Sequence, residues 1–124
     1  MRKKTSDLTA YQQALGLLVR REHSQRELKQ KLKFSGKEAE EIDLALESLS
    51  RQDFQNDVRF AFALARSRQS AGYGPQRIRA EMQQHSLGSE LIDQAVSALE
   101  CDWLEMAQGL VARRYLRKIQ QDPN

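Results

Sequence analysis

The sequence predicts an all-α protein of tandem three-helix repeats, an elongated array with its third repeat incomplete. Three observations carry that prediction. Leu28, Leu32, Ile42, Leu46 and Leu49 are echoed fifty residues later by Ile78, Met82, Ile92, Val96 and Leu99. Spacings of three and four within each set put the apolar residues on one helical stripe, and five aliphatic matches at a single shift mark an internal repeat. Composition points the same way: the 124 residues are 40% hydrophobic and 30% charged, rich in Ala, Leu, Gln, Glu and Arg, which suits soluble helices better than strands. No useful length of chain alternates apolar and polar residues with period two, so no strand is placed.

The elements follow in order. Residues 1–9 form an N-terminal tail that is basic at Arg2, Lys3 and Lys4. The first repeat spans 10–53. Its first helix is AYQQALGLLVRRE, with Tyr11, Ala14, Leu15 and Leu18 facing inward. Ser24 and Glu27 have capping-box spacing, so Ser24 is expected to cap QRELKQKL, a helix that Phe34, Ser35 and Gly36 bring to an end. KEAEEIDLALESL supplies the third helix. The second repeat spans 54–102. There Asn56 or Asp57 caps VRFAFALARSR, Pro75 sits in the first turn of PQRIRAEMQQ, where its missing N–H costs nothing, and Ser89 caps ELIDQAVSALE. Residues 103–124, from Trp103 onward, read as the first helix of a third repeat and a C-terminal tail.

Charge follows the repeat. Residues 20–37 carry seven Lys or Arg against two acids, and 38–57 carry one against seven. Residues 58–79 hold five basic residues and no acid, whereas 80–105 hold six acids and no base. The formal net charge of +3 therefore conceals alternating blocks. Units stacked in register would line a basic face with first and second helices and an acidic one with third helices; the plainer alternative is a set of separate solvated helix faces.

Catalytic chemistry finds little support. The stretch RSRQSAGYGPQRIRAEM resembles a phosphate loop only superficially. A Walker loop needs a preceding strand and a Gly-Lys-Ser/Thr end, and a dinucleotide fingerprint needs a glycine where Arg77 stands. Gly72 and Gly74 are better read as shaping a corner between helices, with Pro75 setting the next first turn. His23 and His85 have no partner at metal-ligand spacing. Cys101, the single cysteine, excludes an intramolecular disulfide and suits a reducing compartment. Trp103 is expected in packing between units. The apolar patch ALGLLV is too short to cross a membrane. The expectation is a cytoplasmic protein that is not an enzyme and needs no cofactor or metal.

Binding remains. Arg20, Arg21, Arg66, Arg68, Arg77, Arg79, Arg113 and Arg114 are the candidate contact residues. Arginine forks carboxylates and phosphates alike, but three tyrosines and one tryptophan offer no ladder for stacking bases. Protein recognition, with or without backbone contact to nucleic acid, fits better than sequence-specific reading. The rival reading is a direct DNA-binding module that presents PQRIRAEMQQ as a recognition helix.

Beyond these patterns, LLVRREHSQRELKQKL, AFALARSRQSAGYGPQRIRAEM and LIDQAVSAL resemble the RecX family of regulators of the RecA recombinase. The likeness covers roughly residues 10 to 120. It is most specific at Ser24, Glu27, Leu28 and Leu32, and at Arg68, Gly72, Gly74, Pro75, Arg77, Ile78, Arg79, Glu81 and Met82; in the third unit only Arg113, Arg114 and Tyr115 can be placed. The resemblance implies a curved array lodged in the groove of the RecA–DNA filament, damping recombinase, ATPase and coprotease activity in DNA repair and the SOS response, with no catalysis of its own and with DNA contact in some members. Members complete a third unit, whereas this chain is expected to hold only its first helix. An apolar face from Met106 to Ile119 would then be partly uncovered, favouring self-association of what is otherwise expected to be a monomer.

Overall fold

A computed structural model describes residues 7–99 as a run of helices joined by short turns. Arg113, Arg114, Cys101, Trp103 and the whole third unit lie outside the described residues. Helix α1 spans Ala10–Arg20, α2 Gln25–Phe34, α3 Ala39–Arg51, α4 Asp57–Ser70 and α5 Pro75–Gln84. Helix α6 begins at residue 89 and is described through 99. There is no strand among the described residues.

Each repeat closes its own core. Leu28, Leu32, Ile42, Leu46 and Leu49 are buried together with Ala10, Ala14 and Ala45. Their echoes Ile78, Met82, Ile92, Val96 and Leu99 are buried with Phe60, Ala61, Leu64 and Ala65. All ten residues of the offset-fifty pattern are therefore core, each aliphatic side chain contributing about 1.5–3 kcal/mol through removal from water. Tyr11, Leu15, Leu17 and Leu18 pack partly buried against the first cluster, so α1 contributes the face expected of it.

Local chemistry sets the helix ends. Thr9 opens α1 with a reciprocal capping box: its hydroxyl accepts from Gln12 N at 3.1 Å, and the Gln12 side chain accepts from Thr9 N at 3.0 Å. Ser24 caps α2 by accepting from Glu27 N at 3.0 Å. The Glu27 carboxylate does not complete that box, because Arg21 and Lys31 draw it aside. Asn56, not Asp57, caps α4 through Arg59 N at 3.0 Å. Pro75 occupies the first turn of α5 as expected, behind Gly74 as an N-cap with no side chain to offer.

One expected cap is corrected. Ser89 already lies inside α6, and Gly88 precedes it, its carbonyl accepting from Ile92 N at 3.0 Å. The repeat explains the shift: Ser89 is the equivalent of Ala39, the first residue of α3, whose N-cap is Glu38. Helix α3, by contrast, starts two residues later than the run KEAEEIDLALESL suggests.

The two glycines of the α4–α5 corner differ. Gly72 has φ +91, and the following Tyr73 N donates to Arg68 O at 2.9 Å, the long-range bond of a Schellman closure. Gly74 has φ −79, which any residue adopts, and open space where a Cβ would stand. Gly72→Ala is therefore expected to cost about 1–2 kcal/mol of stability, whereas Gly74→Ser, restoring the cap its counterpart Ser24 provides, should gain a few tenths. Urea denaturation of the two variants checks this; equal effects would contradict it.

Candidate partner interface

A polar seam joins the two repeats. The Ser24 hydroxyl that caps α2 also lies 2.7 Å from His85 Nδ1, at the C-terminal end of α5. The oxygen accepts from Glu27 N while the same hydroxyl shares a hydrogen bond with the imidazole. The His85 ring packs against Phe60 of α4, centroids 4.7 Å apart at a 52° tilt. Around this point, Gln25 N donates to Asp57 Oδ1 at 2.9 Å and Arg59 Nε donates to Glu22 Oε2 at 2.6 Å. Asp57, freed from capping its own helix, thus serves the first turn of α2 in the other repeat. Arg26 adds a hydrogen bond to Ser86.

His23 is fully enclosed beside this seam. One ring nitrogen meets Arg21 O at 3.0 Å and the other meets Lys31 Nζ at 3.1 Å. A lysine can only donate, so the ring is neutral, with Nδ1–H pointing to the carbonyl and Nε2 accepting. Burial is the main reason that its pKa lies below the ordinary imidazole value.

The candidate arginines divide by surroundings. Arg68 forks Glu81, Nε to Oε1 at 2.7 Å and Nη2 to Oε2 at 2.6 Å, which ties α4 to α5. Arg79 reaches Asp93 at 2.6 Å and ties α5 to α6. The equivalent residues of the first repeat, Lys29 and Asp43, stand 3.9 Å apart, so the repeat reproduces this charge pair along with its core. Arg21 engages Glu27 and Glu22 O. Arg20, in the last turn of α1, is exposed and faces the negative end of that helix. Arg66 is exposed on α4. Arg77 is exposed too, its guanidinium 3.7 Å from the centroid of the Tyr73 ring, with Arg68 5.8 Å away. Stacking restrains Arg77 while leaving its in-plane N–H donors available. The basic and acidic blocks therefore clasp one another across helix pairs in part, and Arg66 and Arg77 stay most open to a partner. Gly72, Gly74, Pro75 and Ser24 shape the corners that set these positions.

The alternation of charge in sequence carried a hint of the clasping, since Lys29/Asp43 and Arg79/Asp93 share the offset of fifty. The Ser24–His85 and Glu22–Arg59 contacts had no such signal. Among the described residues no group of three or more His, Cys, Asp or Glu side chains is placed to hold a metal ion, and no helix is long and apolar enough to cross a membrane.

Two three-helix units with separate cores and a shared polar seam define an all-helical tandem-repeat protein. Residues 10–49 match the family model for the first three-helix domain of RecX, and residues 56–96 match that for the second. The chain belongs to the RecX family. It is 46% identical over 113 residues to "Regulatory protein RecX" of Xanthomonas campestris pv. campestris (strain B100), covering 91% of this chain and 70% of that protein. It is 45% identical over 121 residues to the protein of the same name from Stenotrophomonas maltophilia (strain R551-3), covering 98% of this chain and 74% of the relative.

The seam and the α4–α5 fork carry a pH signature. Hydrogen bonding from Arg68 holds the Glu81 carboxyl below its ordinary value, against the opposing effect of burial. A carboxyl depressed on folding stabilises above its unfolded value, about 4.3, and that contribution is lost as pH falls through the lower folded value. His23 has the same sign: its depressed pKa makes folding most favourable above about 6.5, with loss on acidification below it. Denaturation midpoints followed from about pH 8 to pH 3 should fall in two stages. Glu81→Gln should diminish the acid stage, which Glu27 shares, and His23→Gln the near-neutral one; unchanged profiles in both variants would contradict these assignments.

Proposed function

We propose that this chain is a non-enzymatic regulator of the RecA recombinase. It would bind the RecA–DNA filament in the cytoplasm and damp recombination, ATP hydrolysis and coprotease activity during DNA repair and the SOS response. The observation that carries this reading is the match of both repeats to RecX domain models, together with relatives named as regulatory proteins along most of their length. The physical reading is compatible with it. Two small cores joined by hydrogen bonds and an ion pair make a preorganised scaffold, and a preorganised surface loses less entropy on binding than a flexible one. Arg77, restrained on Tyr73, and Arg66 are the anchors proposed for filament carboxylates or DNA phosphates. Arg20 is proposed as a weaker contact, and Arg21, Arg68 and Arg79 as residues whose first role is to hold the helices. Arg113 and Arg114 are proposed as further contacts on the basis of the family resemblance. No cofactor or metal is required by this mechanism, and the free chain is proposed to be a monomer.

A second reading is direct recognition of DNA, favoured by one feature of α5: Gln76, Arg77, Ala80 and Gln83 are all exposed on it. A sequence-specific footprint on duplex DNA without RecA would support that reading. Weak binding that falls steeply with salt reflects phosphate contact alone and is compatible with either.

The test measures ATP hydrolysis by RecA on single-stranded DNA as this protein is added. Inhibition near stoichiometric amounts is expected, and the double variant Arg66→Glu/Arg77→Glu should need several-fold more protein for the same effect, with helicity unchanged. Wild-type protein without effect would contradict the reading, and a fully active double variant would move the interface off α4 and α5.

A further inference from the structure

Helix α2 ends on Phe34, whose side chain is 96% exposed although it belongs to a helix that buries Leu28 and Leu32 completely. The ring stands at the mouth of a groove of about 680 Å³ between α1, α2 and the C-terminal end of α5, with Gln13, Leu17, Gln30, Lys31 and Gln84 among its walls. A large aromatic left in water beside a concave surface is the pattern of an interaction anchor, not of a core residue. Its surroundings are basic: α2 carries four cations (Arg26, Lys29, Lys31 and Lys33) against one carboxylate, and of these charged groups Lys31 and Glu27 line the groove, while Lys29 stands beside Asp43 on another face. Arg26 also lines the groove.

One wall is incompletely satisfied. Gln13 Nε2 donates to Ser35 Oγ at 2.6 Å, and that hydroxyl donates onward to Lys31 O at 2.8 Å. With Nε2 in that position, Gln13 Oε1 is buried and no donor reaches it.

We propose that the Phe34 groove docks a short acidic segment of a protein partner, which seats an apolar side chain against Phe34 and Leu17 and sets carboxylates near Arg26 and Lys31. Charge complementarity selects an acidic occupant. Nucleic acid fits less well, because one isolated aromatic in a concave groove provides no run of stacking platforms for successive bases. The groove is walled mainly by the first repeat, with Gln84 of α5 at its edge; neither Arg66 nor Arg77 lines it, and the proposal does not depend on RecA being the partner.

The probe is a fluorescein-labelled synthetic peptide of glutamates with leucines at helical spacing, titrated with the full chain and read by fluorescence anisotropy. A control peptide replaces its leucines with serine, and a labelled single-stranded oligonucleotide is run in parallel. Wild-type protein should bind the leucine peptide better than the serine one. Phe34→Ala, which removes only an exposed ring and leaves the core intact, should weaken binding about tenfold or more. Arg26→Gln should weaken it and reduce its salt dependence. The proposal is overturned by an absence of peptide binding, by equal affinity of Phe34→Ala and wild type, or by a Phe34→Ala effect confined to the oligonucleotide. Inhibition of RecA is not part of this readout, so a failure here and a failure of the regulatory reading are distinguishable.

Discussion

The Ser24 hydroxyl holds two responsibilities at once. It satisfies an otherwise unpaired N–H in the first turn of α2, and it meets His85 at the end of α5. A three-helix unit of this size has a thin core, and two such units need a junction if groups on both are to keep fixed positions. Here the junction is largely polar. Ser24 and His23 are buried, Asp57 reaches across to Gln25, and Arg59 pairs with Glu22. Buried polar contacts of this kind are directional, and leaving any member unpaired costs more than the bond contributes. The relative placement of the repeats is thereby tied to a few side-chain geometries.

The same economy governs the arginines. A sequence with alternating basic and acidic blocks invites a reading in which every cation faces a partner. The folded chain answers several of them internally: Arg68 with Glu81, Arg79 with Asp93, Lys29 with Asp43. Pairs such as Lys29–Asp43, exposed and at the edge of range, contribute little; the bidentate Arg68–Glu81 fork is more consequential, because it fixes both the angle between α4 and α5 and the carboxylate's charge. What remains outward is a smaller set, with Arg77 held against Tyr73 on α5 and Arg66 exposed on α4. A regulator that acts by occupying a site needs such rigid, outward charge more than it needs a catalytic cleft.

The core and most helix ends were legible because they depend on local rules. Apolar spacing of three and four reports a buried helical stripe wherever it occurs, and all ten offset-fifty residues obey it. Ser24 and Pro75 act through neighbours within one turn. The misplaced cap at Ser89 shows the limit of such rules: Ser is a favoured N-cap, but the turn inherited from the first repeat ends one residue earlier, at Gly88, and the preference has no say. The junction was hidden for a different reason. Ser24 and His85 are sixty-one residues apart, and Glu22 and Arg59 thirty-seven, so neither pairing follows from periodicity or capping. The exposure of Phe34 was partly legible, since it lies off the Leu28–Leu32 stripe and its offset-fifty counterpart is Gln84, but the groove beside it needs α1 and α5 in place.

The regulatory reading stands or falls on association with the filament itself. Fluorescently labelled protein, with the label on the N-terminal tail, can be sedimented with RecA filaments assembled on single-stranded DNA, alongside RecA alone and DNA alone. Saturable co-sedimentation with the assembled filament, exceeding that with either component, is the predicted result. Recovery of the protein in the supernatant under all three conditions would contradict it.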